Sequence, residues 1–155
     1  MDVDGSYRNG QTTCGGVIRD HQRNWICGFQ QKLGYTTSIA AEIHAIYKGL
    51  ILCNQLGFKK VTLHTDSLDA IHLLLFDCGY GHPIREEIQE VRSLIISHED
   101  LQIIHTYKEA LRCVDYLSRS AQGRNQDFII ISSQPIKCVD LDNFECGRMS
   151  GHQEM

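Results

Sequence analysis

No apolar run in this chain approaches the roughly 18 residues needed to cross a membrane as a helix. The opening Met-Asp-Val-Asp has neither the basic nor the apolar part of a secretory signal, so a soluble intracellular protein is expected, in nucleus or cytoplasm without distinction. Its seven cysteines (14, 27, 53, 78, 113, 138 and 146) form no CxxC pair and are odd in number, and most lie within apolar stretches. Buried thiols in a reducing compartment follow, rather than a disulfide framework. A zinc knot from Cys138, Cys146 and His152 fits no strong ligand spacing. There is also no basic excess. The net charge of -4 gives none of the general attraction to phosphate expected of a protein that grips nucleic acid through its backbone, although acids that hold metal ions would shift that balance. At 155 residues there is room for one domain and one core.

What is present begins with a short strand candidate over residues 1–6, ending in Asp4-Gly5-Ser6, followed by a polar stretch from Tyr7 to Thr13. Residues 14–19 and 25–30 flank a polar loop and read as a hairpin with Trp25 and Phe29 in its core. Its glycines mark places where helices or bulges press on the sheet. Thr37 or Ser38 can cap a long helix in which Ile39, Ile43, Ile46, Leu50 and Cys53 recur at spacings of three and four up to Gly57. Ala40, Ala41 and Ala45 let the first turns of this helix approach a sheet, and Glu42 lies beside its apolar stripe.

Residues 60–66 then read as strand followed by acid, with Asp66 leading through Ser67 into a helix over 68–76. A further helix carries Ile84, Ile88, Val91 and Ile95 on one face. Residues 101–105 form the fifth strand candidate, and a last helix from about Ala110 bears Asp115 beside Leu111, Val114 and Leu117. This order predicts a mixed α/β domain, one sheet with helices on both faces. After Gly123 a four-residue apolar run, 128–131, leads into a polar extension expected to lie on the body and then fray.

Four acids thus sit at strand ends or beside helical stripes: Asp4, Glu42, Asp66 and Asp115. Each alone has an ordinary use, as a turn residue, a helix-start acid or a cap. Brought together they form a carboxylate cluster that needs divalent cations, which is suited to metal-dependent phosphodiester hydrolysis.

Asp4-Gly5-Ser6, the 15–20 stretch, Ala41-Glu42-Ile43-His44-Ala45, Thr65-Asp66-Ser67 and the ending from His105 to Ser118 together resemble a ribonuclease H domain, most like those of plant retroelements and their domesticated relatives. The resemblance spans about residues 1–122, leaving 123–155 as a partly ordered C-terminal extension of a kind such plant proteins often carry. It implies five strands in spatial order 3-2-1-4-5. It also implies a catalytic quartet of Asp4, Glu42, Asp66 and Asp115, with His105 assisting proton transfer or product release.

Two magnesium ions about 4 Å apart, replaceable by manganese, would be shared through Asp4. Asp66 and Asp115 would each hold mainly one ion, and Glu42 would serve the leaving-group side. The implied reaction is endonucleolytic cleavage of the RNA strand of an RNA–DNA hybrid, leaving a 5'-phosphate. Gly5, Ser6, Thr37, Ser38 and Ser67 are candidates to contact the substrate, whose 2'-hydroxyl identifies RNA. A monomer is expected.

Three departures from the family pattern are visible. Leu111 stands where the family has asparagine, and Val114 where plant relatives often have alanine. Only three residues precede Asp4 in what should be a central strand, as in a fragment or a shortened chain, so missing ladder bonds in mid-sheet are expected. No lysine-rich protrusion lies between Phe76 and Ile84. The alternative to an enzyme is a catalytically silent module of the same fold that binds nucleic acid or a protein. An integrase, exonuclease or resolvase is disfavoured, because integrase-type sites draw their glutamate from a later helix.

Overall fold

The computed structural model describes residues 1–76, 81–123 and 128–141. Six strands form one sheet: β1 (Asp2–Arg8), β2 (Gln11–Arg19), β3 (Trp25–Gly34), β4 (Lys60–Thr65), β5 (Asp100–His105) and β6 (Phe128–Ile131). The helices α1 (Ser38–Gln55), α2 (Leu68–Leu75), α3 (Arg85–Ser97) and α4 (Arg112–Ser120) accompany them. The spatial order is β5-β4-β1-β2-β3-β6. Its first five members stand in the expected order, with β1, β2 and β3 antiparallel and β4 and β5 parallel to β1.

The polar stretch after Ser6 is not a loop. β1 runs on to Arg8 and turns through Asn9 and Gly10, both at positive φ (53° and 79°), straight into β2, with Arg8 paired to Gln11. Two central residues at positive φ suit the right-handed twist of a hairpin, and Asn-Gly tolerates them best. The apolar run at 128–131 adds a sixth strand, pairing antiparallel with β3 from Gln31↔Phe128 to Gly28↔Ile131. The structural extension therefore begins as sheet, and a helical segment at 136–141 follows it.

Helices cover both faces. α1 packs on β1, β2 and α3, with Ile43, Ile46 and Leu50 fully buried against Val3, Leu63, Ile88 and Val91. On the other face α4 packs on β1, β2 and β3, placing Leu111, Val114 and Leu117 against Val17 and Cys138. Leu111 therefore contributes apolar packing rather than the polar tie of the family asparagine. The junction leading into α4 is held by backbone instead: Leu111 N–H donates to the Lys108 carbonyl (2.9 Å) and Asp115 N–H to that of Leu111 (3.0 Å).

The small residues of the sheet mark close approaches, as expected. A Cβ at Gly15 would stand 3.0 Å from the Ser118 nitrogen of α4. The two register shifts between β2 and β3 fall elsewhere, at Thr12/Thr13 and Ile18/Arg19. Cys14, Cys27, Cys53, Cys113 and Cys138 are free and buried, and burial pushes the thiols of the first three upward. Cys146 and His152 of the conceivable zinc knot lie outside the described residues, as do residues 77–80 of the connection between Phe76 and Ile84. Among the described residues no helix is long and apolar enough to cross a membrane.

Candidate metal centre

β1 and β4 are parallel neighbours joined at Asp2↔His64, and the carboxylates of Asp4 and Asp66 converge just beyond that pairing. Strand alternation directs Val3 and Gly5 toward α1, and Asp4 accordingly toward the face that carries α4. Asp66 follows the last residue of β4. It is not the cap of the next helix: Ser67 Oγ accepts the Ala70 N–H (3.1 Å), and Thr65 Oγ1 accepts that of Ser67 (3.1 Å), so the Asp66 carboxylate is not needed to close the helix.

Glu42 is set by its own helix start. Thr37, rather than Ser38, is the N-cap, accepting the Ala40 N–H at 3.2 Å. This fixes the first turn of α1 against β1, where a Cβ at Gly5 would lie 2.9 Å from both Ala41 Cβ and the Glu42 nitrogen. The Gly5 N–H donates to Glu42 Oε1 at 2.8 Å. One glycine therefore both admits the helix and orients its carboxylate. Gly5→Ala is expected to destabilise the fold by about 1–3 kcal/mol through overpacking against backbone, which chemical denaturation would measure.

Asp4, Glu42 and Asp66 each offer a carboxylate oxygen, all within 4.8 Å of one another. Asp4 is 3 % and Glu42 7 % exposed. Asp4 Oδ2 and Glu42 Oε2 are buried without a hydrogen-bond partner. The Asp4 carboxyl is held far above the usual range, first by burial and then by the charges of Glu42, Asp66 and Asp115. Glu42 is raised as well, chiefly by burial and with a contribution from Asp66, against the lowering effects of the Gly5 N–H and of a side-chain hydrogen bond with Asp4. Close carboxylates with two buried oxygens left without partners, Asp4 Oδ2 and Glu42 Oε2, are what a hard divalent cation would satisfy, so this donor set fits one such ion.

Asp115 lies near enough to raise Asp4, yet its carboxylate stands apart from the three-acid group. It pairs with Arg119 (3.1 Å) one turn along α4 and with Lys108 (3.8 Å). Neither cation featured among the expected site residues. The Asp115/Arg119 spacing of four was a legible pairing signal, whereas Lys108 reaches Asp115 from the 3-10 turn before α4.

The remaining expected residues lie on the elements that carry the acids, or on β5 beside β4. Gly5 and Ser6 follow Asp4 in β1, and Ser67 follows Asp66. Exposed Thr37 and Ser38 begin the helix that holds Glu42. His105 ends β5, paired in register with Thr65, its ring edge-on to Tyr107 at 5.5 Å. Phe29 is core, while Trp25 is partly buried and donates its Nε1–H to the Ser132 carbonyl (3.1 Å).

A family described as reverse transcriptase-like matches residues 2–121. An Arabidopsis thaliana protein provisionally named a ribonuclease H protein is 28 % identical over 123 residues, covering 78 % of this chain. The chain spans about a fifth (20 %) of that relative's length. Among solved structures, RNase H1 of the archaeon Halobacterium salinarum superposes with a TM-score of 0.72 at 22 % identity, over 78 % of this chain and 94 % of that one. An RNase H1 isolated from compost, solved with an RNA/DNA hybrid, gives 0.70 at 21 % identity, over 77 % and 93 %. These superpositions match the RNase H-like fold, including the core strand order.

Proposed function

The chain belongs to the reverse transcriptase-like family, and from that premise we propose that it hydrolyses the RNA strand of RNA–DNA hybrids, using divalent cations held by its buried carboxylates. The observation that carries this reading is the convergence of Asp4, Glu42 and Asp66, from three separate elements, with two buried oxygens lacking partners. Bound there, magnesium, or manganese in its place, would activate water and stabilise the departing 3'-oxygen, leaving a 5'-phosphate on the product.

Asp4, Glu42 and Asp66 would hold one ion, and Asp4 with Asp115 a second. The Gly5 N–H orients Glu42. Ser6, Thr37, Ser38 and Ser67, together with the Gly5 backbone, are assigned to the substrate around the acids. The His105 imidazole, at the end of β5, is assigned proton movement at the edge of the site. The placement with plant retroelement-type domains rests on the motifs of the sequence, Asp4-Gly5-Ser6 and Thr65-Asp66-Ser67 among them.

The second reading is a silent module that binds without cleaving. It is favoured by one observation, that Asp115 is turned to Arg119 and Lys108. An end-labelled hybrid incubated with pure protein separates the two. Cleavage with magnesium or manganese that EDTA stops, giving 5'-phosphate ends, is the expected result. A hybrid left intact by concentrated protein with either metal makes the silent module correct.

A further inference from the structure

We propose that the groove between α4 and the helical segment 136–141 is a second nucleic-acid contact, which takes the sugar-phosphate backbone of a strand beyond the cleavage point. Among the described residues this groove, of about 600 Å³, is lined by Lys108, Arg112, Arg119 and Lys137, with Glu109 and Asp115 as its acids. Four of the chain's fifteen lysines and arginines thus line one concavity in a protein of net charge -4. Its described lining thus carries an excess of two positive charges in a chain whose overall balance is negative, and a concavity with such an excess focuses its field. Lys137 comes from the segment after β6, so the extension completes the groove rather than merely resting on the domain.

Asp115, on α4, lines the groove, so the groove lies on the helix that bears the fourth acid. Arg112 and Lys137 are exposed, and the pairs that Asp115 makes with Lys108 and Arg119 involve cations more than half exposed, at 58 % and 54 %. Such pairs contribute little, and a phosphate oxygen can replace the carboxylate at either cation. A polyanion of regularly spaced phosphates matches a row of cations better than an isolated acidic side chain does. The choice of nucleic acid as occupant rests on the hybrid-cleaving reading.

The test is binding of a fluorescent RNA–DNA hybrid to the full chain in EDTA, followed by anisotropy across a salt series, so that no metal site and no cleavage contribute. Relative to wild type, Arg112→Gln/Lys137→Gln is expected to bind about tenfold more weakly and to lower the log–log salt slope by about two, one for each lost phosphate contact. Lys137→Glu, at an exposed position, gives a second measure with little risk to folding; it is expected to bind more weakly than wild type at unchanged Tm. Affinity and slope unchanged in both variants overturn the proposal. So does displacement of the hybrid by a polyglutamate peptide at equal charge concentration, which would make an acidic protein segment the occupant. Wild-type cleavage with magnesium is scored separately. Hybrid bound through the groove but never cleaved removes the nuclease reading alone, and cleavage with a charge-insensitive salt slope removes the groove alone.

Discussion

An Asp4→Asn protein is expected to lose cation-dependent cleavage of a hybrid by about a thousandfold or more while gaining thermal stability in EDTA. Both effects have one cause. The Asp4 carboxylate is 3 % exposed, has an oxygen with no partner, and faces the charges of Glu42, Asp66 and Asp115. In the cation-free protein that arrangement is unfavourable, because buried charge is tolerated only when compensated. An amide has the same shape and no charge, and its NH2 can donate toward Glu42. The relief, on the order of 1–2 kcal/mol, corresponds to a rise in Tm of about 2–8 °C for a chain of this size. Loss of a ligand to catalytic metal removes several kcal/mol of transition-state stabilisation, and each 1.36 kcal/mol is about tenfold in rate. Scanning calorimetry in EDTA and a hybrid cleavage assay read the two effects on one preparation. A variant less stable than wild type and equally active would show that Asp4 is an ordinary structural acid.

In EDTA, wild-type stability relative to Asp4→Asn is expected to fall as pH rises, and divalent cations to restore it. The folded protein holds protons on Asp4 and Glu42 more tightly than the unfolded chain does. Their contribution is therefore complete below the ordinary carboxylate range near pH 4 and is lost as pH rises through the raised folded values. His64 titrates in the opposite sense, since burial lowers its pKa, and the comparison between variants removes its part. Magnesium at a hundred times its dissociation constant adds about 2.7 kcal/mol to the folded state, or about 5–10 °C in Tm. The increment shrinks in acid, where protons compete for the ligands. A difference between wild type and variant that is flat from pH 5 to 8.5, with no magnesium-dependent rise in Tm, would remove the cation site.

The sequence made the elements that carry the acids legible because their signals are local. Thr37 before an apolar period of three and four, and an acid closing the strand at Thr65, can be read without tertiary information. The reach of β1 and β2 was hidden because Tyr7 and Arg8 point into solvent, so apolar alternation stops before the strand does. Asn9-Gly10 was the better signal there, since its backbone preference does not depend on burial. β6 could not be placed from Phe128 to Ile131 alone, because its partner β3 lies about a hundred residues earlier in the chain. Likewise the residue types were enough to nominate Asp115, but its direction depends on the cations from the turn before and the turn after it.

The four-residue β6 also changes what the sheet presents to other molecules. Without it the outer margin would be β3, a ten-residue strand offering a long row of unpaired amides and carbonyls, the template along which sheets of separate chains zip together. With it the margin is brief, and Pro135, which has no amide hydrogen to offer, follows four residues after its end. The extension that supplies Lys137 to the groove thereby also covers the long β3 margin with a short strand.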